Sequence, residues 1–341
     1  MTITAGLDVG GAHLKVALVE HGRPVDVRQF VCPLWQGLDK LDAALVAAAP
    51  LLGSASRFAV TMTGELSDLF PDRKTGVATL VARMTKELGA DARFWMGPRG
   101  FGGADDALRH HGDVGSTNFL ATATLIGRCV GDALLIDFGS TTADIIPVVG
   151  GAPRAGGLTD AERQATGELV YTGYTRTAVM GVAARAPFRG RWVTLAREYL
   201  ATMADVRRIL GEPLDGIDLH ATADGKGKTH SESIARLARL LGCDGDDGTE
   251  ADWRLVAEWL REEQLHSVVE GAFQVLSASA LAKAAPVVVA GIGAADASAV
   301  AERLGRQAIA FGELANATET CSRAATHAAP AVAVALLLGS A

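Results

Sequence analysis

The sequence has no paired cysteine motif, no leader-like start and no long apolar run, and each absence closes off a class of protein. Its cysteines are Cys32, Cys129, Cys243 and Cys321, scattered with no C-x-x-C pair, so neither a zinc–thiolate centre nor a disulfide framework is expected. Buried thiols in a reducing compartment are. The opening MTITAGLDVG has no basic segment or cleavage-like apolar region and enters a strand almost at once. The apolar run 331–339 is too short to span a bilayer. A formal net charge of −7 disfavours a general nucleic-acid surface and still permits a local basic pocket. The expectation is a cytoplasmic protein with small-molecule substrates and no nucleic-acid or membrane partner, with oligomerisation left open.

What is present is a repeated hairpin. Residues 134–148, LLIDFGSTTADIIPV, run from an apolar strand through Asp137 into a turn of Gly139, Ser140, Thr141 and Thr142, then leave through a β-branched strand. A carboxylate beside a turn rich in hydroxyls and free backbone N–H groups suits a phosphate with its cation. Small polar residues also make turns for conformational reasons alone. The pattern returns, however, in residues 6–20, GLDVGGAHLKVALVE, without a gap: Asp8 aligns with Asp137, Gly10 with Gly139, Gly11 with Ser140, and Lys15 with Asp144. Long-range self-similarity predicts a duplicated unit. Two such tips facing one another would bring Asp8 and Asp137 to one cation and two amide-rich turns to one phosphorylated ligand. At 341 residues, about twice a typical domain, the chain has room for both units.

Between and beyond the hairpins, the spacing predicts a strand over 23–30, a helix over 38–52 and a strand over 58–63. The last ends in Thr61, Thr63, Gly64, Glu65 and Asp68, where ligand sites of α/β sheets collect; a helix start capped by Thr63 explains these residues equally. Helices are expected over 75–88 and 118–127, the latter with Asn118, Thr122 and Thr124 in structural roles. A loop over 150–157 precedes 166–179, TGELVYTGYTRTAV, in which Tyr171 and Arg176 fit a phenolic or anionic substrate and polar loop packing fits as well. Helices follow over 195–210, 231–241 and 252–277, the second preceded by HATADGKGKTH, in which Lys226 beside Asp224 offers a mobile cation. A buried strand over 287–290 then turns through Gly291 and Gly293, allowing close backbone approach to a ligand. A strand over 308–311 and an apolar helix over 326–338 close the chain.

This order resembles the acetate kinase, sugar kinase, Hsp70 and actin superfamily, over nearly the whole chain. Within it, GLDVGGAHLK, TMTGELSDLF, DFGSTTADIIP, GELVYTGYTRT, TADGK and VVVAGIG are similar to the hydantoinase/oxoprolinase-related proteins of tetrahydromethanopterin-linked C1 transfer. The resemblance implies a two-domain, actin-like (duplicated ribonuclease H-like) α/β fold with an interdomain cleft. A first domain over 1–130 and a second over 131–341 are expected, with a mostly helical insertion at about 155–280 and a C-terminal helix returning to the first domain.

That family includes a methanofuran-biosynthesis enzyme joining an aminomethylfuran diphosphate to γ-glutamyltyramine with release of diphosphate. By resemblance, Asp8 and Asp137 would hold Mg²⁺, Gly10, Gly11, His13, Thr63 and residues 139–142 would surround the diphosphate, and Lys15 and Lys226 would add positive charge. Glu65 or Asp224 would take the phenol's proton, a group with a reference pKa of about 10. Phosphotransferases of the superfamily carry Ser or Thr in the first turn, where this chain has Ala12 and His13. The missing hydroxyl disfavours ATP and favours a diphosphate leaving group. An ATP-dependent kinase or hydantoinase-like ATPase, with nucleotide at Gly291 and Gly293, is the alternative; a non-catalytic nucleotide-sensing partner is the third reading.

Overall fold

The computed structural model describes residues 2–340. Strands alternate with helices as their burial requires: β1 (Ile3–Val9), β2 (His13–Glu20), β3 (Arg23–Val31), β4 (Arg57–Met62), β5 (Arg93–Trp95) and β6 (Phe101–Gly102) form one sheet in the order β3-β2-β1-β4-β5-β6. A second sheet contains β7 (Ala133–Phe138), β8 (Ala143–Val149), β9 (Ala152–Pro153), β10 (Leu169–Val170), then, after a separate hairpin of β11 (Arg185–Phe188) and β12 (Arg191–Thr194), β13 (Val287–Ala290) and β14 (Ala308–Ala310). Its order, β10-β8-β7-β13-β14, repeats the first five places of the other sheet. In both, the central strand pairs antiparallel with its hairpin partner and parallel with the strand that follows a crossover. This duplication is the one that the repeat predicted, and the arrangement is the actin-like architecture that the resemblance implied.

Between the sheets lie the helices Asn118–Val130 and Ala329–Gly339, and one apolar core joins Ala17 and Ala59 of the first sheet to Leu135 and Ile146 of the second through Ile126 and Val334. Small residues make this contact close. A Cβ on Gly6 would run into the Ala331 carbonyl, and one on Gly127 into the backbone of Gly151. The C-terminal helix therefore lies directly on β1, as expected.

Three local expectations are corrected. The helix expected over 195–210 forms only at Met203–Ile209, because Asp205 accepts a hydrogen bond from the Thr202 N–H (3.0 Å) and starts the helix there. The single helix expected over 326–338 is two, Glu319–His327 and Ala329–Gly339, bent by 110°; Pro330 sits in the first turn of the second, where its missing N–H costs nothing. The β11–β12 hairpin was not foreseen. It turns at Arg189 and Gly190, both with positive φ. Among the described residues no single helix is long and apolar enough to cross a membrane.

Candidate active site

The two hairpin turns have the same backbone. The Gly10 N–H donates to the His13 carbonyl at 3.0 Å, and the Gly139 N–H to the Thr142 carbonyl at 2.9 Å. A Cβ on either glycine would crowd the carbonyl that closes its turn, at 2.9 and 3.3 Å. Register then places the charges: Asp8 stands opposite Lys15 on β1–β2, and Asp137 opposite Asp144 on β7–β8.

Both turns line one cavity of about 560 Å³. At its floor Lys15 Nζ lies 3.5 Å from Asp8 Oδ2, while Asp8 Oδ1 is buried without a hydrogen-bond partner. Burial raises the Asp8 carboxyl above its ordinary value, and Lys15 opposes the rise. Asp137 is pushed up to about 7, first by burial and then by Asp144, with Lys15 again opposing. Asp144 is itself paired with the buried Arg163. Two buried carboxylates, one with a bare oxygen, and a single nearby lysine leave the floor short of positive charge. That donor set suits Mg²⁺, which takes one or two carboxylates and completes its shell with water and substrate phosphate oxygens. Among the described residues, no group of three or more His, Cys, Asp or Glu side chains meets as a self-sufficient metal cage.

The second turn is clamped from above. The Tyr174 N–H donates to the Gly139 carbonyl and the Arg176 N–H to the Ser140 carbonyl, both at 2.9 Å. Gly173 makes this possible, since a Cβ there would collide with the Ser140–Thr141 peptide. Gln264 Nε2 donates to the Gly173 carbonyl at 2.8 Å and is held in turn by Arg207, which donates to Gln264 Oε1 at 2.6 Å. Arg176 also reaches Thr141 Oγ1 at 3.2 Å.

Of the residues singled out from sequence, Asp8, Gly10, Gly11, His13, Lys15 and Thr63 line the cavity from the first sheet's side. Asp137, Gly139, Ser140, Thr141, Thr142, Tyr171 and Arg176 line it from the second. A short helix does start at Gly64 with Thr63 before it and Glu65 in its first turn, but the Thr63 side chain makes no cap bond.

Five others stand outside the lining. Glu65 is buried behind it, accepting from Ser116 Oγ at 2.6 Å and paired with Arg73 at 3.7 Å. Asp224 pairs with Arg236 at 3.1 Å and ties down its own loop, in which Lys226 is exposed. Gly291 and Gly293 make their close approach to the end of β7, Gly291 to the Phe138 carbonyl and Asp137 Oδ1 and Gly293 to the Phe138 side chain, with the Gly293 N–H donating to the Phe138 carbonyl at 2.9 Å. Their lack of Cβ atoms is used by the fold.

Sequence reasoning passed over several lining residues. Asn118, expected to be structural, faces the cavity, as do Asp144, Arg163 and Trp35. The hairpin repeat pointed to Asp144, the partner of Lys15 in the alignment; nothing local pointed to Trp35. His220, from the loop expected to act through Lys226, instead brings its ring to 4.7 Å from that of His13. A larger hollow of about 720 Å³ opens at the other end of β1, beside Arg57, Arg128 and Leu336. Among the described residues its lining has no carboxylate, so it lacks the floor chemistry of the cleft.

Comparisons with known proteins identify the family. The hydantoinase/oxoprolinase family model matches residues 57–331. A protein of Methanocaldococcus jannaschii is 31% identical over 240 residues, covering 70% of this chain and 71% of its own. One of Methanococcus vannielii is 33% identical over 113 residues, 33% of this chain and 50% of its own. Both are named (4-{4-[2-(γ-L-glutamylamino)ethyl]phenoxymethyl}furan-2-yl)methanamine synthase. A nucleotide-free acetone carboxylase structure shares the fold alone, with TM-score 0.51 and 11% identity over 89% of this chain and 67% of that one. By the span of the family model and the identity to these synthases, the chain belongs to the hydantoinase/oxoprolinase family.

Proposed function

We propose that the protein is a transferase that joins 5-(aminomethyl)-3-furanmethanol diphosphate to γ-glutamyltyramine, forming the aryl ether of a furan methanamine and releasing diphosphate. The observation that carries this reading is the pair of like-built turns on one cavity, with Asp8 Oδ1 bare beside Lys15 and Asp137. The names of the two synthases print the product, a phenoxymethylfuran methanamine; the two substrates are those that the family resemblance implies.

The phenolic oxygen forms a bond to the furanylmethyl carbon as the carbon–oxygen bond to diphosphate breaks, and the bonding pair leaves with the diphosphate. A Mg²⁺ ion held by Asp8 and Asp137 would neutralise charge on that leaving group. Lys15 adds a fixed cation at the floor, and the backbone N–H groups and hydroxyls of Ser140, Thr141 and Thr142 receive phosphate oxygens. Arg176 guards the outer end; among the described residues it has no carboxylate within ion-pair distance, so its charge is free for an anion. Glu65 and Asp224 lie outside the cleft lining, which leaves the phenol's proton to a lining group or to the departing diphosphate.

The test is one incubation of the protein with Mg²⁺, γ-glutamyltyramine and the furan diphosphate, following diphosphate and the coupled product by mass, beside a sample in which ATP replaces the diphosphate. Coupled product without ATP is expected. ATP consumed with no coupled product would sink the transferase and favour the kinase reading.

A further inference from the structure

Above the charged floor the cavity changes character. Trp35 lies in the short helix Leu34–Gln36, which the backbone fastens to the first turn: the Leu34 N–H donates to the Gly11 carbonyl at 3.0 Å and the Cys32 N–H to that of Ala12 at 2.9 Å. His220 comes from the distant loop before the helix His230–Leu240, against the backbone of Ala12. Its ring centroid is 4.7 Å from that of His13, edge to face, and 5.5 Å from that of Trp35. The Arg176 guanidinium covers Trp35 at 4.8 Å. Three rings from three separate parts of the chain thus meet, His13 and Trp35 in the cleft lining and His220 packed against both.

Two polar atoms in this group are idle. His13 is 5% exposed and lines the cavity, and its Nε2 has no hydrogen-bond partner; neither has Nε2 of His220. Burial holds both imidazoles neutral, His13 down to about 2 and His220 to about 4. A neutral imidazole carries one N–H and one bare nitrogen, so a ring pair of this kind can receive a hydroxyl. A buried polar atom left bare costs free energy that a bound partner recovers.

We infer that His13, Trp35 and His220 form the subsite for the aromatic ring of a phenolic acceptor, with one unpartnered imidazole nitrogen accepting from its hydroxyl and the N–H of the other imidazole donating to it. The assignment rests on the transferase reading for the identity of the acceptor, and on geometry for its place. His220 is then a specificity residue, since it brings the loop before His230–Leu240 onto the first turn and against the ring of His13. An adenine base would also stack on such rings, but it has no hydroxyl to donate to one imidazole while accepting from the other.

The test is calorimetric titration of the intact protein, with magnesium diphosphate present, by γ-glutamyltyramine and by the analogue lacking the phenolic hydroxyl. The variants are Trp35→Ala, Trp35→Phe, His220→Ala and, as a control on an exposed ring away from the cleft, Trp192→Ala. Loss of a stacking ring or of a hydroxyl partner should weaken γ-glutamyltyramine by about tenfold in Trp35→Ala and His220→Ala, with Trp35→Phe retaining most of the affinity. Magnesium diphosphate binding should change less than about twofold, and the des-hydroxy analogue should lose little on His220→Ala.

Unchanged acceptor affinity in both alanine variants overturns the inference, as does loss of adenosine binding with γ-glutamyltyramine unaffected. Equal weakening of acceptor and diphosphate, which a collapsed cleft would give, overturns it too. Acceptor binding that depends on His220, in a protein that forms no coupled product, would uphold the subsite and sink the transferase reading.

Discussion

The two turns share a backbone and differ in charge. Each closes with an N–H to carbonyl bond between the same positions, and each follows a buried aspartate at the end of a central strand. Opposite Asp8 the partner strand places Lys15; opposite Asp137 it places a second acid, Asp144. The first turn is therefore neutralised by its own hairpin, and the second draws charge from elsewhere, Arg163 to Asp144, while its hairpin offers Asp137 no cation. The geometry is repeated, and a difference at one cross-strand position gives these paired positions three acids and one cation, with a second cation, Arg163, from outside the hairpins.

The most damaging change to this pairing removes a carboxylate. Asp8→Asn and Asp137→Asn should each lower kcat by about 10³-fold or more, since each would take away a ligand of the proposed Mg²⁺; single-turnover diphosphate release measures it. Lys15→Met comes next, expected to cost about 10²-fold in kcat. It removes the feature by which the first hairpin differs from the second, so a fall no larger than a few-fold would mean that the asymmetry is incidental.

A smaller effect belongs to the second turn alone. Gly173→Ala forces a Cβ onto the Ser140–Thr141 peptide and should destabilise the protein by about 1–3 kcal/mol in urea unfolding. The first turn is held by a like pair of backbone bonds, from the Leu34 N–H to the Gly11 carbonyl and from the Cys32 N–H to that of Ala12, but the clamping residues 32–34 include no glycine and Gly11 itself has open space for a Cβ; Gly11→Ala should leave stability nearly unchanged.

The smallest effect is on pH dependence in metal-free protein, where the two turns pull in opposite directions. Asp137 is raised from 3.8 to about 7 by burial, so between those values the native state keeps a proton that the unfolded chain has lost. Its contribution to stability is therefore lost as pH rises through that window. His13 is depressed from 6.5 to about 2 by burial, so over that span the unfolded chain binds a proton that the native state refuses. Its contribution is lost as pH falls. Each slope is on the order of 1 kcal/mol per pH unit and opposes the other between about pH 4 and 6.5. Asp137→Asn should make acidification more destabilising, and His13→Asn should make it less so, in Tm measured across that range.

The hairpins and the sheets were legible in the sequence because each is a local pattern: alternating burial, an acid at the strand end, glycine at the turn. The equivalence of Lys15 and Asp144 followed from the repeat itself; that each stands opposite the aspartate of its own hairpin is a matter of register. The placement of the two base candidates outside the lining was not legible, because it depends on side-chain partners that no local pattern announces: Ser116 donates to Glu65, and Arg236 pairs with Asp224. The Gly-x-Gly turn had a physical meaning, close approach, but the sequence does not say to what, and Phe138 is the answer. Trp35 and His220 were invisible for a like reason: 185 positions apart (220 − 35), they meet only once the loop before His230–Leu240 has folded over the first turn.

The central claim is that both turns grip one magnesium diphosphate, and calorimetric titration of inorganic diphosphate with and without Mg²⁺ tests it most directly. The account predicts one binding event per chain that requires Mg²⁺ and disappears in both Asp8→Asn and Asp137→Asn. Binding that ignores Mg²⁺, or that survives intact in either variant, would contradict it.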